Sequence, residues 1–228
     1  MTFNGFPQET LSFLSDLAQH NDRAWFDASR KRYEAHFLAP SLAYIEAMQQ
    51  PLAKLSPLFQ AVPRKSGGSL MRIFRDVRFA KDKSPYKTNI GIHFRHAAGC
   101  DVHAPGFYVH IEPQQCFLGA GVWHPGGEAL QAIRGAIDTR PSDWKKARDH
   151  KAFRLRFELA GDSLTRPPRG FDPDHPHIDD LRRKDFIGVA RLDDVALTSP
   201  AFVKDSIAAF KAAAPFARFL CEAMGIPF

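Results

Sequence analysis

The sequence predicts an α+β fold, a mostly antiparallel sheet packed by helices in a single domain. Three observations lead there. Apolar residues recur at helical spacing towards both ends of the chain. From Ser69 the period shortens to two. Short polar turns, rather than long crossovers, separate the alternating stretches, which suits antiparallel neighbours.

In chain order, Leu11, Phe13, Leu14 and Leu17 mark a first helix, and Asn21-Asp22 supplies a stop and a fresh N-cap. Trp25, Phe26, Tyr33 and Phe37 turn a second helical stretch towards the core. Pro40 ends or kinks it, and Leu42, Ile45 and Leu52 continue the pattern. Met71, Ile73, Val77 and Phe79 alternate and predict a strand over 71–79, with Arg75 interrupting its apolar side and Arg72, Phe74, Asp76 and Arg78 on the other. Lys81 to Pro85 reads as a polar turn. Ile90, Ile92 and Phe94 form the next strand; "HAAGCDVHAPG" is a loop; Phe107, Val109 and Ile111, then "CFLGAGVW", give two more strands. "HPGGEALQAIRGAI" opens a helix, and 144–157 reads as helix breaking into extended chain. "SLTRPPRGFDPDHPHID" is a loop, 178–184 a short helix and 185–192 a short strand. A last helix starts near Ser199-Pro200 and is kinked at Pro215. The division within the domain is then a helical part over 1–60, a sheet core over 69–123, and helices with the Pro-rich loop over 126–228.

Bulk composition excludes several classes. The 228 residues are 44% hydrophobic and 25% charged, with 20 Phe, which suits a globular chain with a large core. No apolar run is long enough to span a bilayer. Gln8, Glu9 and Asp16 stand where an export signal would be apolar, so a cytoplasmic protein without membrane partners is expected. Cys100, Cys116 and Cys221 are odd in number and match no zinc or redox spacing; they read as packing thiols in a reducing compartment.

Charge is where the sequence becomes specific. The net charge is +6, and residues 64–87 carry all of it, with eight basic and two acidic side chains. The remaining 23 basic and 23 acidic residues cancel. On a strand, Arg72, Asp76 and Arg78 would share one side, where residues two apart sit roughly 6.5–7 Å apart, close enough to grip one phosphate-sized anion together, and the planar arginine fork suits phosphate. Asp76 would hold Arg72 or Arg78 in register; on the competing, structural reading Arg75, on the otherwise apolar side, would sit buried with a carboxylate from a helix. Lys81, Lys83 and Lys87 extend the positive surface, and Tyr86 offers a hydroxyl or ring face. A second basic run, Arg182-Arg183-Lys184, either ends a helix beside Asp179 and Asp180 or converges on the first cluster through Lys184. The competing reading is an edge strand braced by Arg–Asp pairs and guarded by lysines.

Other chemistry is less marked. His93, His110 and Glu112 would form a metal site if their strands pair, but the spacing matches no known ligand pattern, and neither a metal nor a cofactor is expected. Gly119 and Gly121 alternate on a strand, where they let a ring or backbone lie close. There is no Gly-x-Ser-x-Gly elbow. The expectation is therefore a binder of a phosphate-bearing ligand or of a nucleic-acid backbone. Its rivals are a metal-dependent phosphoester hydrolase and a structural protein docking an acidic surface.

"RIFRDVRFAKDKSPYKTN" carries a family resemblance, through Arg72, Arg75-Asp76, Arg78-Phe79, Lys81-Asp82-Lys83 and Pro85-Tyr86-Lys87-Thr88. Trp25-Phe26 with Tyr33 and Pro40, Gly121 with Trp123, Leu130 with Arg134, and the stretch from Arg166 to Phe186 fit as well. Across nearly the whole chain the sequence resembles the family catalogued as domain of unknown function 2461. The resemblance implies a single domain and brings no catalytic residues with it, so the chemistry has to be argued from the side chains.

Overall fold

The structure, a computed structural model, describes residues 3–99 and 103–228. Cys100, read above as a packing thiol, lies outside the described residues.

The chain opens with α1 (Gln8–Gln19), which buries Leu11, Phe13, Leu14 and Leu17. Asp22 caps α2 (Arg23–Ala28), its carboxylate accepting the Trp25 N–H at 2.9 Å. Next, α3 (Arg30–Tyr33) runs through a π-helical turn (Glu34–Leu38) into α4 (Ala39–Leu55). Pro40 explains the turn. It has no N–H to offer the His36 carbonyl four residues back, and its ring crowds that oxygen. The orphaned carbonyl is satisfied from outside the helix by the buried Thr10 hydroxyl, at 2.6 Å.

After the short β1 (Phe59–Gln60) come β2 (Ile90–His96), β3 (Gly106–Ile111) and β4 (Phe117–Val122). Then follow α5 (Gly127–Thr139), α6 (Pro141–Arg148), α7 (Lys151–Arg154), β5 (Glu158–Ala160), α8 (Ile178–Leu181) and β6 (Phe186–Arg191). The chain ends with α9 (Asp194–Thr198) and α10 (Phe202–Ala223), which holds Pro215 inside it. The sequence pattern gave no hint of α9, a single capped turn in which Asp193 accepts the Ala196 N–H at 2.7 Å.

The six strands among the described residues form one antiparallel sheet in the order β1-β2-β3-β4-β6-β5. Its register sorts the side chains into two faces. Ile92, Val109, Leu118 and Ala190 align across one face, as do Phe94, Phe107 and Ala120. Helices α4 and α10 cover this face; Phe210 of α10 lies 4.7 Å from Phe107 between ring centroids, and Tyr44 of α4 lies 6.3 Å from Phe94. One hydrophobic cluster runs from Phe6 to Cys221. The opposite face carries His93, Tyr108, Gly119 and Val189 in one row, flanked by Gly91, His110 and Phe117 on one side and by Gly106, Gly121 and Ile187 on the other.

The strand expected over 71–79 does not form. Ser69 to Met71 runs along β2, with the Met71 N–H bonded to the Gly91 carbonyl and the His93 N–H to that of Ser69. Beyond Ile73 no strand remains beside it, because β2 begins only at Ile90. The chain instead folds back on itself, Phe74 opposite Tyr86, around a loop over 76–84. Local bonds take the place of a ladder there. Asp76 accepts the Arg78 N–H at 3.2 Å, and Asp82 accepts both the N–H and the hydroxyl of Ser84, at 2.9 and 2.6 Å. Val77 and Phe79, the apolar half of the predicted alternation, are therefore not packed in the core, and Phe79 is 95% exposed.

Among the described residues no helix is long and apolar enough to cross a membrane.

Candidate functional site

The basic loop is braced from within. Arg78 turns its fork onto Asp76, Nη2 donating to Oδ2 at 2.7 Å and Nε to Oδ1 at 3.0 Å. Those bonds hold the Asp76 carboxyl well down, at about 2. Arg75 pairs with Asp82, which also keeps its charge far below the usual carboxylate range through Ser84 and Arg75 together. Lys83 donates to the Val77 carbonyl at 3.0 Å. Asp76 thus pairs with one of the two arginines proposed for it, Arg78, whereas Arg75 is neither buried nor paired with a helix carboxylate: its partner, the exposed Asp82, lies within the same loop. The strand that would have set Arg72, Asp76 and Arg78 on one side is absent.

Tyr86 does not offer a ring face. It is 4% exposed, stacked on Phe26 at 4.1 Å, with Phe74 at 5.5 Å. Asn21 clamps its backbone, accepting the Tyr86 N–H at 3.0 Å and donating to its carbonyl at 2.9 Å. Asn21 reads in the sequence as a helix stop; in the fold it also ties the basic loop to the helical layer. Lys184 stands apart from the first cluster. It precedes β6, whose first residue pairs with Val122, whereas Lys87 precedes the end of β2 that pairs with Ile111, so the two lie a strand length apart, roughly 17 Å or more. Its neighbours end a helix, Arg182 pairing with Asp179 at 3.2 Å and Arg183 with Asp180 at 3.5 Å.

Arg72 and Lys87 remain close to one another without an ion pair among the described residues. Burial first, and the Arg72 charge second, push the Lys87 ammonium below its ordinary 10.5. From Lys87 the chain leads directly into a polar network. Thr88 donates to Glu112 Oε1 at 3.1 Å, and Glu112 Oε2 lies 3.1 Å from His110 Nε2. The other ring nitrogen, Nδ1, is approached by Tyr108 Oη at 3.3 Å and by Asn89 Nδ2 at 3.4 Å. In the tautomer that donates Nε2–H to the Glu112 carboxylate, Nδ1 is the acceptor. Burial, with Glu112 nearby, lifts the Tyr108 phenol to about 12, so it stays a donor.

This network borders a cavity of about 380 Å³ on the sheet face turned away from α4 and α10. Its lining is mainly apolar and aromatic, with Met71, Tyr108, His110, Phe117, Trp123 and Val189 among its members. Glycines create the space. A β-carbon at Gly91 would lie 2.7 Å from Tyr108 Oη, and one at Gly106 would lie 2.3 Å from His93 Nε2. Both rings therefore lie down across neighbouring strands where a larger residue would force them upright. A β-carbon at Gly119 would lie 3.3 Å from Tyr108 Cβ and 3.7 Å from its ring, whereas at Gly121 it is the Phe186 backbone that approaches, and its φ of 124° admits only glycine easily.

Trp123 stands at the rim, 52% exposed and stacked on His124 at 4.2 Å. The turn behind it is held by Asp185, a 1%-exposed carboxylate that accepts the His124 N–H at 2.7 Å and the Asp162 N–H at 2.9 Å. Other marks of the resemblance are structural. The buried Arg134 caps α8 through the Leu181 and Arg183 carbonyls, at 2.7 and 3.0 Å, and Asp180 collects Trp144 and Arg148.

The metal set weighed from sequence does not assemble. His93 and His110 share a face, but His93 lies over Gly106, away from His110, and no group of three His, Cys, Asp or Glu side chains converges among the described residues. Cys116 and Cys221 are buried thiols pushed up to about 12 by that burial, which suits packing rather than attack.

No curated protein and no solved structure matches this chain. A family model does, over residues 9–219, and nearly every element that shapes the cavity and the basic loop lies within that span. The chain belongs to the family described as conserved hypothetical protein (DUF2461).

Proposed function

We propose that the protein binds a small ligand whose apolar body fills the sheet-face cavity and whose phosphate is held by Arg72 and Lys87. The observation that carries this is the cavity itself. About 380 Å³, mainly apolar walls and a few convergent polar groups are the usual form of a small-molecule site. Its position supports the second half. Met71 lines the cavity and Arg72 follows it in the chain, while Lys87 and Asn89 lead into the network that borders it. Two neighbouring cations, one of them losing affinity for its proton, gain from an anion between them.

1-Naphthyl phosphate tests this reading. It is expected to raise the melting temperature of the full chain, as any ligand of the folded state does. Val189→Phe, which fills the cavity, should abolish the shift. An Arg72→Ala, Lys87→Ala double variant should reduce it to that given by 1-naphthol. A shift unchanged in both variants would overturn the reading.

One observation favours a second reading, a nucleic-acid backbone along Arg78, Lys81 and Lys83. Phe79 stands 95% exposed among them with the Arg78 guanidinium 5.9 Å from its ring, an arrangement on which an unpaired base can stack. A labelled single-stranded oligonucleotide should then bind with a log–log salt slope of about −0.7 per phosphate contacted. Phe79→Ala should weaken it, and Val189→Phe should not.

A further inference from the structure

We propose that the ligand of this cavity is a planar heteroaromatic anion of the nucleotide type, with its ring laid along the flattened Tyr108 side chain and its polar edge turned to Asn89 and His110. This inference rests on the ligand-binding reading above and narrows it to one chemical class.

Shape is the first reason. Tyr108 and His93 lie across Gly91 and Gly106 because those positions have no β-carbon, and the cavity beside them is lined by residues of four strands, from His93 of β2 to Val189 of β6. Its aromatic walls are already arranged as stacks, Phe117 on His110 at 4.6 Å and 10°, and Trp123 on His124 at 4.2 Å. Rings pack against rings in offset or edge-on geometries that a flexible hydrocarbon tail does not use. Three planar side chains (Tyr108, Phe117 and Trp123) thus meet a ligand that is itself planar.

The polar edge is the second reason. His110 Nδ1 is a single acceptor approached by two donors, both at long distance, 3.3 Å from Tyr108 and 3.4 Å from Asn89. The Asn89 amide also hydrogen-bonds the Tyr108 side chain, and it is its carbonyl that is left for another partner. An amide carbonyl at the cavity border is what the edge of an amino-bearing ring requires. A plain hydrocarbon on a phosphate would cover these groups and leave them unpaired, which costs affinity. Arg72 and Lys87, at the same end of the sheet as Asn89, receive the phosphate.

The test compares the strongest of AMP, GMP and UMP with ribose 5-phosphate and octyl phosphate on the full chain, by thermal shift and tryptophan fluorescence. The best nucleotide is expected to bind at least tenfold more tightly than either comparison compound. It should quench emission in the wild type but not in Trp123→Phe, since Trp144 is fully buried and Trp25 lies in α2. Asn89→Ala should remove most of the tenfold preference while leaving octyl phosphate binding unchanged. Octyl phosphate binding as tightly as any nucleotide would overturn the planar-ligand inference and leave the ligand-binding reading standing. No response to any phosphate compound, 1-naphthyl phosphate included, would overturn both.

Discussion

The two faces of the sheet are made from alternate residues of the same strands, and they are built differently. On β2 the face under α4 and α10 carries Ile90, Ile92 and Phe94, each fully buried; the other carries Gly91, His93 and Arg95. On β3 the split is Phe107, Val109 and Ile111 against Gly106, Tyr108 and His110. Burial explains the first set, because every position there removes apolar surface from water. The second set has gaps where packing would place side chains and ionisable groups where packing would avoid them. Such departures from local packing logic concentrate at functional sites.

The largest expected effect tests whether the second face is a core at all. Phe107→Ala on the covered face should cost about 3–5 kcal/mol in urea unfolding, a large part of the stability of a typical domain. Phe117→Ala, on the cavity face and only half-buried, should cost less than half as much. Equal costs would mean that the cavity face is packed as tightly as the other, and the contrast between the faces would fail.

A smaller effect, of opposite sign at two glycines, sharpens the same contrast. Gly91→Ala places a β-carbon 2.7 Å from Tyr108 Oη and 3.0 Å from Met71 Sδ. Tyr108 must lift away from His110, at a cost of about 1 kcal/mol. Gly135 in α5 has nothing within 4 Å of such an atom, so Gly135→Ala should stabilise by about 0.5–1 kcal/mol. Paired unfolding curves check both. If Gly91→Ala were as stabilising as Gly135→Ala, the glycine at 91 would serve no ring.

How much of this was readable in the sequence follows from which contacts are local. The alternation of β2, β3 and β4, the buried stripe of α1 and the Asp22 cap are decided within a few residues, and each was legible. The strand over 71–79 was misread because alternation reports what a strand would bury, not whether a neighbour exists to pair with it; past Ile73 none does. The (i, i+2) pairs Asp76–Arg78 and Asp82–Ser84, which close the loop instead, look in sequence like ordinary charge clustering. The basic stretch was correctly seen as the concentrated charge of the chain, but half of its arginine forks are committed internally. The cavity was the least legible part. Gly119 and Gly121 could be noticed singly, yet the space exists only because antiparallel register sets Gly91, Gly106 and Gly119 beside Tyr108 and His93 from three strands. Asn21, 65 residues from Tyr86, is another contact that only the fold brings together.

Lys87, where the basic loop meets the cavity face, gives the smallest effect and the closest test of how the two are joined. Its ammonium titrates below 10.5 in the folded protein, first because it is partly buried and then because Arg72 is near, while in the unfolded chain it keeps its ordinary value. Between those two values the unfolded chain binds more protons, so stability rises with pH across that window. Below the folded value the full penalty of the buried charge is present, and above 10.5 it is gone. Lys87→Met removes the ammonium, so its stability should lie above that of the wild type at neutral pH and converge on it as the pH climbs towards 10.5. A bound phosphate reverses the balance by favouring the charged form. The thermal shift given by 1-naphthyl phosphate should therefore shrink over the same alkaline window in the wild type and be small and flat in Lys87→Met. Parallel melting curves from pH 7 to 10.5, with and without the compound, measure both slopes. A shift that falls equally in both proteins would place the phosphate away from Lys87 and separate the basic loop from the cavity face.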